Sequence, residues 1–454
     1  MSDNSSSYSI QEAKVTAYDG ITTSDISNII HSINFSQSLS SVSWSGSIVV
    51  RDNVGLLERL PLRGEESLKL KILSYDTNKT IDLNTKIFRV SGIQPTENQN
   101  GVQYTLSIVS GETFEANKQR ATKAYKNDKI SGIADKVFNE YYATLGVPET
   151  TELNDTMTLS YSTKRLPIER TDRSFFIQPT EGLFTLIMPN YIPPEAMVFL
   201  SKRGYNSETR SQTFRFFETF YNYYFVTDEF LIQEGVSKGA AGIKKLFYAP
   251  AASYDTSNPE SQLQRIDSLT IEKRGTDTAS DLYSGGYTNK VSQVDIINGT
   301  YDEFDFNFLN DAKYIDMTGR QADLSNLPHT EEYIRDTFTS KNAKRFMIFK
   351  DFDNPEQKIA PSMRSEVNLQ EVIANKISYN HHLNNTSILV GMKGRLDITP
   401  GEIVDVDTTE FESTETTNRS SKLSGRYLVQ SSKNVLMNDT ISTSLRLVKF
   451  NWSS

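Results

Sequence analysis

The stretch GRLDITPGEIVDVD, Gly394 to Asp407, sets a turn ahead of a strand. Pro400 presets φ and Gly401 accepts the positive φ that side chains resist. Ile403, Val404 and Val406 follow with branched side chains that favour extended backbone. A hairpin comes next, GRYLVQSSKNVLMNDTISTSLRLVKF, residues 425–450. The same order occurs near the other end of the chain. Gly64-Glu65 precedes ESLKLKIL (Glu66–Leu73), which puts Leu68, Leu70 and Ile72 on one face and Lys69 and Lys71 on the other. Then IFRVSGI (Ile87–Ile93), a turn around PTENQNG, and VQYTLSIV (Val102–Val109) make a hairpin whose Val102, Tyr104, Leu106 and Ile108 share a face. Aligning Val90 with Val429 and Leu106 with Leu445 keeps the hairpin spacing equal, 16 positions from Val90 to Leu106 and from Val429 to Leu445. Side-chain identity across the two ends is low. Two readings therefore stand, a duplicated β module or two unrelated hairpins of a common kind.

Composition bounds the rest. A chain of 454 residues, 37% hydrophobic and 11% aromatic, has ample length for two to four packed domains. Tyr (22) and Phe (24) outweigh Trp (2), which with abundant Thr, Ser, Val and Ile leans toward strands. The formal charge of −9 argues against a generic grip on a nucleic-acid backbone. With no cysteine, disulfides, thiolate metal sites and a Cys nucleophile are excluded, and a reducing compartment suits the chain. The N-terminus, MSDNSSSYSI, has neither the basic nor the apolar part of a signal peptide, and no run of about 18 apolar residues suggests a membrane span. The expectation is a soluble protein.

Further strands are predicted at Val15–Asp19, Ile33–Leu39 and Ser43–Asp52. From Asp128, a candidate N-cap, Ile130, Ile133, Ala134, Val137 and Tyr141 recur at helical steps. Pro193 and Pro194 suit the first turn of a second helix, with Ala196, Phe199 and Leu200 on its inner side. TFRFFETFYNYYFVTDEFLI (Thr213–Ile232) reads as two aromatic strands about a turn centred on Asn222, which tolerates left-handed backbone. The span 235–365 is less regular, with a strand at Lys344–Phe349. A helix is predicted from Glu366 to Tyr379, with Leu369, Val372, Ile373 and Ile377 inward.

The order of a strand-rich start, DKISGIADKVFNEYY, PNYIPPEAMVFLSKRGY, FRFFETFYNYYF and the Gly394–Phe450 segment resembles the baseplate hub protein of T-even-type contractile-tailed phages. It is also similar to the hub half of VgrG spike proteins. The resemblance covers most of the chain and is weakest at 235–265 and 318–364. Its most specific part is the passage from the proline-led helix into the FFET hairpin, where relatives tend to carry glycine and this chain has Asn222.

The resemblance implies a mainly β fold with helical additions (β-rich α+β). Two similar tail-tube-like antiparallel β-barrels would lie at 8–118 and at 211–234 with 366–454. An α+β connecting domain would occupy 119–210, and an inserted α+β domain 235–365. It implies a structural hub, a homotrimeric ring with pseudo-sixfold symmetry. Such a ring adapts a sixfold tail tube to a threefold cell-puncturing spike and leaves a channel for DNA. The implied partners are further copies of the chain, a spike or tail-lysozyme protein, tail-tube or tube-initiator proteins, and baseplate wedge proteins. No specific nucleic-acid binding and no membrane insertion are implied. The implied location is the virion tail baseplate, assembled in the host bacterial cytoplasm. A VgrG-like secretion spike hub is the nearest alternative, and a tail-associated cell-wall or polysaccharide hydrolase a more distant one.

No catalytic, cofactor or metal site is expected. Of the four histidines, His31, His329, His381 and His382, the adjacent last two sit where a helix C-terminus favours cations and diverge too much to share a metal. No metalloprotease, nucleophile-elbow or phosphate-loop motif occurs. Asp302, Glu303 and Asp305 alternate with Phe304, Phe306 and Phe308, as on the polar face of a strand, although paired carboxylates are also acid/base or calcium material. GAAGIKKL reads as a flexible loop. The run 401–418 holds Glu402, Asp405, Asp407, Glu410, Glu412 and Glu415 without Lys or Arg. It is either a solvated loop or a negative surface that would not retain passing DNA.

Overall fold

Strand alternation in the first hundred residues becomes a seven-stranded antiparallel half-sheet. The computed structural model describes residues 7–17, 20–60, 62, 64–95, 101–142, 149–152, 158–160, 173–206, 213–248, 259–274, 283–295, 299–311, 314–320, 344–349, 369–409, 420 and 423–450. The strands are β1 (Tyr8–Thr16), β2 (Thr23–Asp25), β3 (Ile30–Ser38), β4 (Ser45–Asp52), β5 (Ser67–Ser74), β6 (Lys79–Pro95) and β7 (Val102–Ser110), in the spatial order β3-β4-β7-β6-β5-β1-β2. Leu68, Leu70 and Ile72 of β5 and Tyr104, Leu106 and Ile108 of β7 are buried in one core, as their alternation predicts. Each such side chain contributes about 1.5–3 kcal/mol of burial.

The middle of the chain begins with β8 (Ala124–Asp128), β9 (Glu149–Glu152), β10 (Thr158–Ser160), β11 (Ser174–Ile177), β12 (Phe184–Ile187), β13 (Phe214–Glu218) and β14 (Asn222–Thr227). β8 pairs with β12, and a five-stranded sheet runs β10-β9-β11-β14-β13. The helix Ile130–Tyr141 buries Ile130, Ile133, Ala134, Val137 and Tyr141, the face that the helical spacing selects. Its N-cap is Lys129 rather than Asp128, whose Oδ1 instead accepts from the Lys129 amide at 2.8 Å. The helix Pro193–Ser201 buries Ala196, Met197 and Leu200, while Phe199 is half-buried against Tyr191 and beneath Arg203.

The aromatic hairpin differs from expectation in two ways. Its turn is Thr219–Tyr221, closed by Thr219 Oγ1 accepting from the Asn222 amide at 3.0 Å, so Asn222 opens β14 with ordinary φ. The second strand stops at Thr227, and Asp228–Ser237 is a helix. Thr227 supplies the cap by accepting from the Phe230 amide, and Asp228 and Glu229 occupy the first turn, where the helix dipole favours them.

The second half of the large sheet uses β15 (Lys244–Tyr248) and β16 (Ser268–Arg274). A separate sheet follows from β17 (Thr288–Asp295), β18 (Thr300–Asn307) and β19 (Lys344–Phe349), in the order β18-β17-β19. The large sheet then resumes with β20 (Thr386–Lys393), β21 (Ile403–Thr408), β22 (Gly425–Met437) and β23 (Thr440–Lys449). GAAGIKKL is thus not a loop: Gly239–Gly242 is a helical turn and Lys244 begins β15. The helix Leu369–Leu383 buries Ala374, Ser378, Tyr379 and His382, whereas Ile373 and Ile377, expected inward, are half-buried.

The strand path β16-β20-β23-β22-β21-β15 repeats β3-β4-β7-β6-β5-β1 strand for strand and in chain order. Four of the five pairings are antiparallel in both halves, and the fifth is antiparallel for β1–β5 and parallel for β15–β21. A bulge marks the same place in each hairpin, at Phe88 and at Gln430. The amide of the residue before it bonds a glutamate carbonyl in each, Ile87 to Glu66 and Val429 to Glu402, both at 2.9 Å. Ile87 therefore corresponds to Val429. Leu106, paired with Val90, corresponds to Leu445, paired with Ser432. The sequence alignment of Val90 with Val429 is three residues out. Two of the three residues come from the second hairpin's tight turn at Asn438 and Asp439, both of positive φ (50° and 59°), which replaces a longer loop, and one from a further bulge in β6 between Ser91 and Gln94.

Candidate functional site

The longest strands are β6, with 17 residues, and β22, with 13, both beyond the usual strand length. Strand length is the sequence signal for what β22 does, which is to serve two partners in succession. Gly425–Leu428 pairs with β21, and beyond the bulge Ser431–Met437 pairs antiparallel with Ser38–Ser32 of β3. This seam joins the halves into one 13-stranded sheet. Leu436 and Ile441 of the second half lie in the core of the first. The Ser7 amide bonds the carbonyl of Asp439, and Gln37 reaches Ser432 Oγ with its amide nitrogen and accepts from the Phe220 amide at 3.0 Å. Phe220, at the tip of the aromatic hairpin, packs edge-on against Phe35 and Trp44.

Away from the cores the joined sheet presents an in-register row from successive strands: Lys393, Ser442, Val435, Asn34, Ser47 and Ser107. Small hydroxyl and amide groups dominate this row, and Arg51, Arg89, Lys393, Lys433 and Arg446 are exposed cations of the same face.

The acidic run lies elsewhere. Glu402 takes Lys244 Nζ at 2.7 Å, and Asp405 stands in register between Lys245 and Arg426, so this part of the run is matched by cations from distant segments. Glu410, Glu412 and Glu415 are outside the described residues. Glu303 and Asp305 both contact Lys290 Nζ, at 2.7 and 3.2 Å, while Phe306 beside them is buried. That hydrogen bond from Lys290 holds the Glu303 carboxyl below its ordinary range. His382 is buried against Phe308 and Tyr287, with Nε2 3.3 Å from the Gly286 carbonyl oxygen and Nδ1 3.0 Å from Asn385 Nδ2. The neighbouring His381 faces Ser284 Oγ. Among the described residues no group of three or more His, Cys, Asp or Glu could hold a metal ion, and no helix is long and apolar enough to cross a membrane.

Sequence reasoning missed the buried charges: Arg215 bonds the buried Asp228 at 2.6 and 2.8 Å, and a larger cluster gathers members scattered along the chain. Arg173 is enclosed between Glu112 at 3.4 Å and Glu218, lies over the Tyr223 ring at 4.4 Å, and donates to the Thr219 carbonyl at 3.1 Å. Ser110 Oγ donates to the same Glu112 oxygen that Arg173 approaches, and Thr113 Oγ1 to the Glu218 oxygen that Arg173 does not contact. Burial raises the Glu112 pKa, partly opposed by the charge of Arg173. Burial works against the Arg173 charge too, but Tyr223, Glu218 and Glu112 more than offset it. Closed on all sides, the cluster ties the end of β7 to the aromatic hairpin.

No family model and no curated protein matches the sequence. Solved structures match its fold. The tail protein from Neisseria meningitidis MC58 is similar over 97% of this chain and 96% of its own, with a TM-score of 0.52 at 11% identity. The 43 kDa tail protein of prophage MuSo2 from Shewanella oneidensis is similar over 96% of this chain and 98% of its own, with a TM-score of 0.49 at 10% identity. A type VI secretion component from Escherichia coli, itself structurally similar to bacteriophage T4 tail proteins, is similar over 98% of this chain and 77% of its own, with a TM-score of 0.41 at 8% identity. The mainly β fold that the resemblance implied is the fold observed, and it is shared with the Neisseria tail protein.

Proposed function

We propose that this protein is a structural hub of a contractile-type tail baseplate. Three copies form a ring that adapts a sixfold tail tube to a threefold spike. The observation that carries this reading is the duplicated strand order, with the two halves bonded edge to edge in one sheet. One chain then supplies two successive modules, residues 8–118 and the strands gathered between Lys244 and Lys449, so three chains supply six. Closed rings are the ordinary outcome of head-to-tail contacts whose rotation closes. The partners on this reading are a spike protein on the threefold face, tube or tube-initiator proteins on the other, and wedge proteins at the periphery. The hydroxyl-rich face of the sheet would line the channel, and no catalytic step is assigned.

Light scattering on a sizing column, followed by negatively stained class averages, tests it. The expected result is a mass of three chains and a ring with an open centre, formed by the protein alone or on mixing with its spike. A monomer unchanged by the spike would overturn the hub reading. Clearing of peptidoglycan by the isolated protein would overturn the structural role.

A further inference from the structure

Inside the chain one joint between modules is already made, and the same pieces are present a second time with no described strand paired to them. β6 is divided as β22 is: Lys79–Lys86 pairs with β5, and beyond the bulge at Phe88 the strand continues against β7 alone. Among the described residues β16, the counterpart of β3, pairs only with β20. Among the described residues no backbone pairs with the outer edge of either Arg89–Pro95 or Ser268–Arg274. The far part of β22 that fills the seam, Ser431–Met437, corresponds to Arg89–Pro95, which carries one extra residue at a second bulge between Ser91 and Gln94 and so ends level with Leu436.

An edge strand left to solvent is ordinarily guarded by charge. Between Phe88 and Pro95 the only charged residue is Arg89, while Phe88 and Ile93 are 46% and 59% exposed. Such an edge is a template for another strand.

We infer that the β6 edge of one copy pairs antiparallel with the β16 edge of the next copy, repeating between chains the β22–β3 seam found within each. This inference rests on the ring reading above and supplies its contact. The register follows from the duplication. Ile48 corresponds to Val390, since each faces the matched leucine, Leu106 or Leu445, and Ile33 then corresponds to Leu269. Followed through the bulges of each strand, the internal pair Asn34–Val435 becomes Thr270–Gln94 between copies, and Ser36–Lys433 becomes Lys273–Ser91. The contact is head to tail: β16 ends the sheet path in the second half, and the far run of β6 lies beyond β7 in the first half, so each copy offers one of each and the contacts form a ring if their rotation closes.

The absence of cysteine makes the test direct. Directly opposed strand residues have Cα atoms about 4.5–5.5 Å apart, within disulfide reach. In full-length protein, Gln94→Cys with Thr270→Cys should give, on mild oxidation, a ladder ending at a covalent trimer on a non-reducing gel. Each single variant should run as the monomer. Asn34→Cys with Val435→Cys, the internal equivalent, should close within one chain and leave the gel mass unchanged. If the protein is trimeric by light scattering but neither Gln94/Thr270 nor Ser91/Lys273 cysteine pairs cross-link, the strand pairing is wrong and the ring stands by other contacts. If cross-links form but extend into polymers, the edge pairing holds and closure at three falls. A protein that neither trimerises, with or without spike, nor cross-links overturns both.

Discussion

The two halves of the large sheet share a strand order but not their surroundings. The first is anchored to the middle of the chain through a closed set of charges, Glu112, Arg173 and Glu218, beside a single aromatic wedge, Phe220. The second is anchored through apolar and aromatic packing, where Phe217, Leu231, Ile403, Tyr379, Tyr314 and Phe450 share one core. Even their outermost pairing differs, antiparallel at β1 and parallel at β15. What persists is the part both halves need alike: the four-stranded run, the bulge that redirects the long strand, and the edges on either side of it. Topology is held where modules must join in series, and it varies where each meets something different.

That contrast is breakable. The largest effect is expected from Arg173→Ala, which strands two buried carboxylates and should cost about 3–5 kcal/mol in denaturant unfolding. Arg446→Ala, which removes an exposed pair with Glu272 in the second half, should cost under about 1 kcal/mol. A small loss at Arg173 would erase the distinction between a charged and an apolar anchorage. Next is Phe220→Ala, which empties the wedge between Phe35 and Trp44 and should lower stability by about 3 kcal/mol. A loss near zero would mean that the hairpin tip does not hold the first half.

The two turn glycines sharpen the comparison further. Gly64 (φ 101°) and Gly401 (φ 92°) lead into β5 and β21, and a Cβ at Gly401 would lie 3.2 Å from Leu231 Cδ2. Alanine at either should cost about 1–2 kcal/mol by thermal unfolding, and a free substitution at one would show that its half has relaxed there. A last effect concerns Lys376, whose pKa burial and then Arg215 lower from 10.5 to about 8. Between about 8 and 10.5 the unfolded chain holds a proton that the folded one has released, so stability rises with pH across that window. Lys376→Met should remove that rise and add about 1–2 kcal/mol at pH 7. A wild-type profile flat across the window would show that Lys376 keeps its charge.

Where one face of a strand is buried against its own neighbours, the residues announce it. Leu68, Leu70 and Ile72, and the helical face of Ile130, Ile133 and Val137, were readable for that reason. The end of β14 was not readable, because aromatic residues run on into a helix that only the Thr227 cap begins. The edges were harder still. Pairing between Ser431–Met437 and Ser32–Ser38 depends on residues about 400 positions apart, which no local period reports. Only strand length hinted that β6 and β22 continue past their first partners. The Arg173 cluster left no trace at all, since Glu112, Arg173 and Glu218 meet only after three separate elements have packed.

The seam has a consequence in time. A ribosome adding roughly 5–20 residues per second needs about 20–80 s after finishing β3 to deliver the strand that covers it. Throughout that interval the newborn first half carries a bare β3 edge beside its own free β6 run. In a polysome crowded with siblings, the β6 run of one nascent chain could then reach the β3 edge of another before the rightful strand exists. Yield of assembled protein should therefore depend on how far apart these chains are made, and slowing initiation should help more than slowing elongation.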